Sequence, residues 1–373
     1  MTRRELNLAI FEGTADRPLW QPRLEEWINY HRRRGTIPEQ WRDPDPWGWT
    51  LQVYDDLRCS VRYACAVGLD GTKAEGEVEV SDETLDDNHR AVNVRTRSGE
   101  ITTVRQLVRE GAEIYNDRIR DFPVKTVADL RVATDVVNAQ QVSPNVERFL
   151  RRAAEVGIRG EPTQFLPSSG FTDLIKAWCG LPGTYYLLTD QRAAVEEYLE
   201  ACDRRDDRWL DAAFQLPCRL FNLGDHATNE FTPPPILKRY MLPRWQRITR
   251  RMNEHHCYVH SHWDGNSRTM LPYLQESGLH AVEALPPLPM GDMTLEEIKA
   301  AVGDKIVVLD LIPTTHFLAH FSLQACLDFA KRVMDLFTPR LILGVSDEIS
   351  GVGDIRRIEA ISELVDKEYG LAE

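Results

Sequence analysis

The segment Cys257-Tyr258-Val259-His260-Ser261-His262-Trp263-Asp264-Gly265-Asn266 indicates a short β-strand that ends in polar groups. Its first residues favour β-structure, and the Gly-Asn pair breaks the strand. Because side chains alternate between the two faces of a strand, one face is predicted to carry Tyr258, His260, His262 and Asp264. Two imidazoles and a carboxylate at the carboxyl end of one strand can meet around one metal ion or one substrate.

Short apolar strands of this kind recur along the chain, each followed by a polar or glycine-bearing loop and then a helix. They are Thr163–Leu166, Arg219–Leu223, Cys257–His260, Ala281–Ala284, Lys305–Leu311 and Arg340–Val345. One of the helices, Met293–Val302, carries a Thr294/Glu297 capping box. Strand–helix alternation predicts a parallel sheet with crossover helices.

The number of strands favours a closed barrel. With the strands near Pro18 and Val61 the total is about eight strands. This is the number of strands in an α/β protein of the (β/α)8 TIM barrel class. The competing topology is an open doubly wound sheet. That topology would be favoured by a glycine-rich phosphate turn after the first strand, and the sequence has none.

The N-terminal part has a different pattern. Apolar and polar residues alternate strictly over 76–80 and 91–96, which is typical of a half-exposed antiparallel sheet. We therefore expect a single TIM-barrel domain over residues 1–373, with 58–104 as an antiparallel β elaboration.

Composition excludes several classes of function. The 373 residues carry a formal net charge of −13 and a pI of about 5.3. This acidic balance argues against non-specific binding to nucleic acid or to an anionic membrane. No segment approaches the roughly 20 apolar residues that span a bilayer, and the charged start Met1–Leu6 argues against a secretory signal. The seven cysteines are scattered without a C-x-x-C pair, so we expect reduced, mostly buried thiols in a cytoplasmic protein.

Polar groups follow five successive predicted strands, where the active sites of such barrels lie. Among them, His262, Asp264 and Asp347 offer the nitrogen and oxygen ligands that suit zinc or a similar divalent ion. An i, i+2 pair on one strand end and a third group from a distant strand fit a catalytic metal with one open position. The alternative is a hydrogen-bonded polar cluster without a metal.

The chain resembles the uroporphyrinogen decarboxylase-like superfamily and, within it, the corrinoid-dependent methyltransferases. The resemblance covers essentially the whole length and is most specific over 219–361. Members that act on coenzyme M have an H-x-C-G-N motif and a later cysteine, which together hold zinc. Here the motif is His262-Trp263-Asp264-Gly265-Asn266, and Asp347 replaces the later cysteine. This form, together with the segment 283–292 (EALPPLPMGD), resembles the branch associated with methyl ether demethylation.

Two departures from the family pattern change the expected chemistry. The decarboxylase signature R-Q-A-G-R is absent, and Trp20-Gln21-Pro22-Arg23 stands in its place, which argues against porphyrinogen decarboxylation. Both thiolates are replaced by carboxylates, and an all-nitrogen/oxygen ligand set leaves a metal ion a stronger Lewis acid toward oxygen. If no metal binds, the same carboxyl groups can serve as general acids for the leaving oxygen.

The resemblance implies transfer of a methyl group from a methylated small molecule to the cobalt of a separate corrinoid protein. The methyl donor that it favours is a methoxylated aromatic. The implied catalytic residues are His262, Asp264 and Asp347, which bind zinc or activate the leaving oxygen, with Glu230, Asp225 or His260 completing the shell. The implied substrate-binding residues are Trp20, Arg23, His226 and Glu283, although Arg23 and Trp20 have structural interpretations as well. The alternatives are a decarboxylase or lyase of the same fold, and a non-catalytic ligand-binding barrel.

Overall fold

The computed structural model describes residues 1–42, 46–62, 66–110 and 113–372. The strands are β1 (Leu19–Trp20), β2 (Leu69–Lys73), β3 (Glu79–Asp86), β4 (His89–Thr96), β5 (Gly99–Glu110), β6 (Glu113–Asp121), β7 (Gln140–Pro144), β8 (Thr163–Leu166), β9 (Leu220–Leu223), β10 (Tyr258–His262), β11 (Ala281–Glu283), β12 (Val307–Pro313) and β13 (Leu341–Ser346). The α-helices are α1 (Arg3–Glu12), α2 (Glu25–Arg33), α3 (Pro46–Asp56), α4 (Val127–Ala139), α5 (Val146–Val156), α6 (Gly170–Asp173), α7 (Gly180–Asp190), α8 (Arg192–Ala213), α9 (Pro234–Ile236), α10 (Leu242–Glu254), α11 (Leu295–Val302), α12 (Leu323–Phe337) and α13 (Arg356–Tyr369). Within these ranges, no helix combines the length and the apolar character that crossing a membrane requires.

Internal contacts divide the chain into two compact units. The first comprises Met1–Gly68, Val146–Phe165 and Pro217–Glu373, and the second comprises Leu69–Asn145 and Leu166–Leu216. All of the predicted site residues belong to the first unit. The expectation of one domain over the whole chain stays a prediction.

The first unit is built on a seven-stranded sheet with the order β1-β13-β12-β11-β10-β9-β8. Every pair from β1 to β9 is parallel. Strands β9 to β13 therefore follow one another in space as they do in the chain, with helices between them, as the strand–helix alternation predicts. The predicted capping box is also confirmed, because Thr294 Oγ1 accepts from Glu297 N at 3.2 Å and Glu297 Oε2 accepts from Thr294 N at 2.8 Å.

The predicted closed (β/α)8 TIM barrel is not formed, although the fold is TIM-barrel-like. Among the described residues β1 and β8 are not paired, and the segment near Val61 forms no strand. Ser60 N donates to Trp20 O at 2.9 Å and Val61 N donates to Arg159 O at 3.0 Å, so an irregular segment connects β1 with the turn that precedes β8. A physical reason is that β1 lies between Pro18 and Pro22, which have no N–H to extend a ladder.

The parallel sheet is strongly curled. Strands β10 and β13 are three positions apart, which in a flat sheet corresponds to about 14 Å. Nevertheless, His262 Nε2 at the end of β10 lies 3.9 Å from Asp347 Oδ2, directly after β13. The curl therefore brings the carboxyl ends of distant strands face to face.

The interior of the curled sheet has an apolar floor. Helix α1 packs there, and the cluster consists of Leu6, Ala9, Ile10, Phe11, Ala15, Leu19, Leu220, Ala281, Val307, Leu309, Ile342 and Ala372. A capping box between Thr2 and Glu5 begins this helix, and Gly13 ends it at a φ of 77°. Burial of this apolar face fixes the amino ends of the strands, so the polar groups further along each strand lie toward the other end of the sheet.

The second unit contains two antiparallel sheets, β3-β4-β5-β6 and β2-β7. The four-stranded sheet extends from Glu79 to Asp121, so it begins later and ends later than the predicted 58–104. Ala91 and Ile101 are its buried side chains on the two central strands.

Six cysteines are free and buried: Cys59, Cys179, Cys202, Cys218, Cys257 and Cys326. The seventh, Cys65, lies outside the described residues. Burial raises the pKa of the Cys202 thiol to about 12, and that of Cys326 to about 11, so these thiols are poor nucleophiles.

Candidate functional site

The carboxyl end of β10 places His262 and Asp264 side by side. His262 Nε2 lies 3.7 Å from Asp264 Oδ2. The predicted alternation is confirmed, because His260 Nδ1 and His262 Nδ1 both face Glu283, at 3.4 and 2.9 Å. The side chain of His262 is 6% exposed and that of Asp264 is 36% exposed. The pair therefore reaches from the buried interior to the opening of the curled sheet.

Glu283, the last residue of β11, fixes the orientation of His262. Its Oε1 lies 2.9 Å from His262 Nδ1 and accepts from Asn222 Nδ2 at 2.7 Å, while Arg62 Nη1 donates to its Oε2 at 3.4 Å. When Glu283 is ionised, it accepts from the Nδ1–H of His262, which leaves the lone pair of Nε2 facing the opening. This is the arrangement by which a carboxylate orients a metal-binding histidine.

The loop after β9 brings His226 to the same point. Asp225 is fully buried, accepts from Arg244 Nη1 at 3.1 Å and accepts from Trp245 Nε1 at 2.7 Å. Ala227 N donates to the carbonyl of His262 at 2.9 Å, which joins the loop to β10. With both neighbours anchored, His226 adopts a φ of 45°. Its Nδ1 lies 3.5 Å from Asp264 Oδ2, and its ring centroid lies 4.6 Å from that of His262.

Asp347 enters the site from the far side of the curl. Arg23 Nη1 donates to its Oδ1, and its Oδ2 lies 3.9 Å from His262 Nε2. Two other carboxylates lie near the same guanidinium, Glu25 at 4.0 Å and Glu348 at 3.8 Å. Asp347 is thus oriented by Arg23 and keeps one oxygen toward the histidine.

The residues present fit a divalent ion. Donor atoms of His226, His262 and Asp264 all lie within 4.8 Å of one another. A tetrahedral ion with ligand bonds of about 2.0–2.2 Å holds its donor atoms about 3.3–3.6 Å apart, close to the 3.5 and 3.7 Å between Asp264 Oδ2 and the two imidazoles. His262 Nε2 and Asp264 Oδ1 are buried without a hydrogen-bond partner in the described part of the chain. Buried polar atoms of this kind are normally satisfied, so these two indicate a ligand.

The carboxyl groups of the site differ in pKa. Burial raises the pKa of Glu283 to about 8, although Arg62 opposes the shift. Burial also acts to raise the pKa of Asp264, but the imidazoles of His226 and His262 more than offset it, and that pKa lies well below its usual range. Asp264 is therefore a carboxylate at neutral pH, the form that binds a metal ion. Burial, with the charge of Arg62, holds the pKa of His260 well below its usual range, so this imidazole is neutral.

Several predicted site residues lie elsewhere. Glu230, in the loop after β9, accepts from Asn266 Nδ2 of the loop after β10 at 2.9 Å, and it is not among the clustered donor atoms. Asp225 and His260 do not complete the shell either, because Asp225 is paired with Arg244 and His260 lies one level deeper, against Glu283. Trp20 is buried and donates from Nε1 to Ser362 Oγ of α13 at 2.9 Å. Alternation along β1 explains this, since the next residue is the one whose side chain faces the interior.

Two predicted substrate-binding residues take different positions. Glu283 is 2% exposed and lies below the opening, where it contacts His262, and its contact with substrate stays a prediction. His226 joins the cluster of donor atoms, a position that the prediction gave to Glu230.

The buried network under the site includes residues that the sequence did not single out. Arg62 Nη2 donates to Asp310 Oδ1 at 2.6 Å, and Gln21 Oε1 accepts from Arg62 Nε at 3.2 Å. Asn222 donates to Glu283 from β9. The only available signal was their place near strand ends, because a lone Arg, Gln or Asn in an apolar segment has no characteristic spacing.

The chain matches no protein-family model, and no curated protein matches it. Its fold is similar to that of a methyltransferase from Methanosarcina mazei, with a TM-score of 0.59 at 12% identity over 99% of both chains. A B12-independent methionine synthase from Shewanella sp. W3-18-1, solved in complex with selenomethionine, gives a TM-score of 0.41 at 12% identity over 87% of both chains. A putative vitamin-B12 independent methionine synthase from Listeria monocytogenes gives 0.42 at 12% identity over 95% of both chains. At these identities the likeness to the first protein shows a shared fold.

Proposed function

We propose that this chain moves a methyl group from the oxygen of a methyl ether to the cobalt of a separate corrinoid protein. The observation that carries the proposal is the convergence of His226, His262 and Asp264 at the carboxyl end of a curled parallel sheet. This set consists of nitrogen and oxygen donors, and ligands of this kind favour chemistry at oxygen over chemistry at sulfur. The resemblance of the H-x-D-G-N segment to the methyl ether branch points to a methoxylated aromatic as donor.

The reaction requires charge to be withdrawn from the ether oxygen. The electron pair of Co(I) forms the new bond to the methyl carbon, the carbon–oxygen bond breaks, and its electron pair stays on the oxygen, which takes up a proton. A bound divalent ion supplies Lewis acidity toward that oxygen. The ions to which this donor set is suited include zinc.

The residues of the chain have distinct parts in this proposal. His226, His262 and Asp264 hold the ion, and Glu283 keeps the lone pair of His262 Nε2 directed at it. The low pKa of Asp264 favours it as a ligand over a proton donor. Asp347, oriented by Arg23, is the second carboxyl group within reach of His262. If the reaction proceeds without a metal ion, the carboxyl group of Asp347 protonates the leaving oxygen.

The exposure of the site supports the proposal that a partner protein supplies the cobalt. The side chains of His226, Asp264 and Asp347 are each 36–37% exposed, so the donor atoms face the opening. A corrinoid protein that docks over this opening would bring Co(I) toward the methyl carbon from the solvent side.

The test is methyl transfer to free cobalamin reduced to Co(I), followed by its absorption spectrum. Methoxylated aromatics, methylamines and methyl thioethers are each tested as the methyl donor in an assay with the zinc-loaded chain. We expect methyl–cobalt formation with methoxylated aromatics and its loss in His262→Ala, whereas His255→Ala, an exposed histidine outside the site, keeps it. Transfer only from thioethers, or from none of the donors, contradicts the proposal. Activity in metal-free protein assigns the oxygen-activating role to the carboxyl group.

A further inference from the structure

The guanidinium of Arg23, which contacts Asp347, is surrounded by carboxylates. Arg23 pairs with Asp347, and its Nε and Nη2 lie 4.0 Å from Glu25 and 3.8 Å from Glu348. Burial acts to lower the pKa of Arg23, and these carboxylates raise it far above its usual range, so the charge is fixed. A guanidinium that already faces three carboxylates offers little to a substrate carboxylate, although the sequence suggested Arg23 for that purpose.

The two outer carboxylates are held in place by other groups. Glu25 Oε1 accepts from the hydroxyl of Tyr54 at 3.1 Å. Glu348 Oε2 accepts from the backbone N–H of Glu26 at 3.3 Å. Their side chains are 36% and 27% exposed, so they are partly withdrawn from water beside the opening. Fixed charges with reduced solvation act more strongly on a ligand than charges on mobile surface side chains.

The opening therefore carries an excess of negative charge. Arg23 faces the carboxylates of Glu25, Asp347 and Glu348, and Asp264 adds a fourth carboxylate beside His262, so these five groups have a formal charge of −3. A divalent ion on the imidazoles and Asp264 would reduce it to −1. An anionic substrate would enter against this charge, with no unpaired guanidinium at Asp347 to receive it.

A cationic donor is disfavoured for a different reason. The nitrogen of a quaternary ammonium has no lone pair, and that of a protonated amine has none either, so neither can bind the ion that the cluster fits. Such a donor would also approach a dication. An ether oxygen keeps two lone pairs and carries no charge, and it satisfies both conditions.

We propose, on the basis of the proposed function, that the substrate of this site is an uncharged methyl ether and that Glu25 and Glu348 exclude its carboxylated analogues. The two acidic residues act as a charge filter at the opening and do not touch the reacting atoms. Their removal changes which ether is accepted, because each removal weakens the repulsion and frees one side of Arg23.

The experiment compares two ethers that differ by one carboxylate, 2-methoxyphenol and 4-hydroxy-3-methoxybenzoate. The zinc-loaded full chain is assayed for methyl transfer to Co(I) cobalamin, and binding of each ether is measured separately by calorimetry. We expect kcat/KM and affinity for the uncharged ether to exceed those for the carboxylate by at least about tenfold. In Glu348→Gln and in Glu25→Gln the ratio should fall at least about threefold, through better use of the carboxylate.

A matched control is Glu368→Gln, which removes the same charge from an ion pair with Lys331 on the outer helices. This variant should keep the wild-type ratio. Equal or better use of the carboxylate by the wild type, or a ratio unchanged in both Gln variants, overturns the charge filter and leaves the methyl transfer intact. Better transfer from a quaternary methylammonium compound overturns the choice of an uncharged donor. No transfer from any donor overturns the proposed function together with this inference.

Discussion

Glu283 Oε1 lies 2.9 Å from His262 Nδ1, and this contact leaves His262 Nε2 as a buried atom with no hydrogen-bond partner among the described residues. The carboxylate is itself held by Asn222 and Arg62. A chain of fixed groups thus runs from the middle of the sheet to an imidazole lone pair at its opening. The purpose that best explains such an arrangement is a ligand on Nε2.

Weakening this support should weaken metal binding. Glu283→Gln keeps the size of the side chain and an acceptor oxygen but removes the ionisable carboxyl group, whose ionised form makes His262 a better donor. We expect the affinity for zinc to fall about 10–100-fold, as it does when other hydrogen-bond partners of metal-bound histidines are replaced. The measurement is competition with a chromophoric chelator, with His255→Ala as the control. Wild-type affinity in Glu283→Gln would show that His262 is not a ligand.

Removing Asp225 should affect both stability and the site. Asp225→Ala removes the carboxylate that pairs with the buried guanidinium of Arg244, so we expect a loss of about 3–5 kcal/mol in the free energy of unfolding, measured with urea. Because the same residue anchors the loop of His226, zinc affinity should fall as well.

A double variant separates these two effects. Asp225→Ala with Arg244→Met removes the unpaired charge, and stability should largely return. Zinc affinity should stay low, since nothing restores the position of His226. Recovery of metal binding in the double variant would show that Asp225 acts only through stability.

Local patterns predicted strands β8 to β13 well because each of them is a mainly apolar run bounded by residues that break it. The shared face of His260 and His262 follows from alternation alone, which is a property of any strand. The same reasoning excluded neither His226 nor Glu230 as a ligand. That choice depends on the backbone of a loop, where His226 has a φ of 45°, and loop conformation has no periodic signature.

The long-range features were harder to predict for a related reason. Arg62 and Asp310 are 248 positions apart and meet only because the sheet curls. The barrel does not close partly because Pro18 and Pro22 limit β1, and this effect is visible in the sequence. The sequence does not reveal, however, which two edge strands stay unpaired. Asp347 was within reach of prediction because the family resemblance aligned it with a zinc-binding cysteine.

A half-buried histidine outside the site, His280, should make stability depend on pH. His280 Nδ1 accepts from Val259 N at 3.1 Å and its Nε2 lies 2.7 Å from Asn253 Oδ1, so the neutral ring fits both partners. Burial lowers its pKa to about 4. The unfolded chain binds this proton near pH 6.5, so its contribution is present above that pH and is lost as the pH falls from about 6.5 to 4.

We expect the free energy of unfolding to fall by at most about 3 kcal/mol over this pH range, and partial exposure of the ring makes the fall smaller. Urea unfolding at pH 7 and pH 5 measures it. His280→Gln offers an acceptor and a donor without a titratable ring, so its stability should change less between the two pH values. An equal change in both proteins would assign the pH dependence to other groups.

The carboxylates of the site should determine which metal it prefers. Asp264→Cys replaces a hard oxygen ligand with a soft thiolate, and Asp347→Cys places a second thiol within reach of His262, while His262 and its support by Glu283 remain. We expect affinity for Cd²⁺ to rise at least about tenfold relative to that for Mn²⁺, measured by competition titration. Asp304→Cys, which places a thiol at a side chain that is 96% exposed, is the control and should not change this ratio. If Asp264→Cys alone gives the full change, Asp347 does not reach the ion.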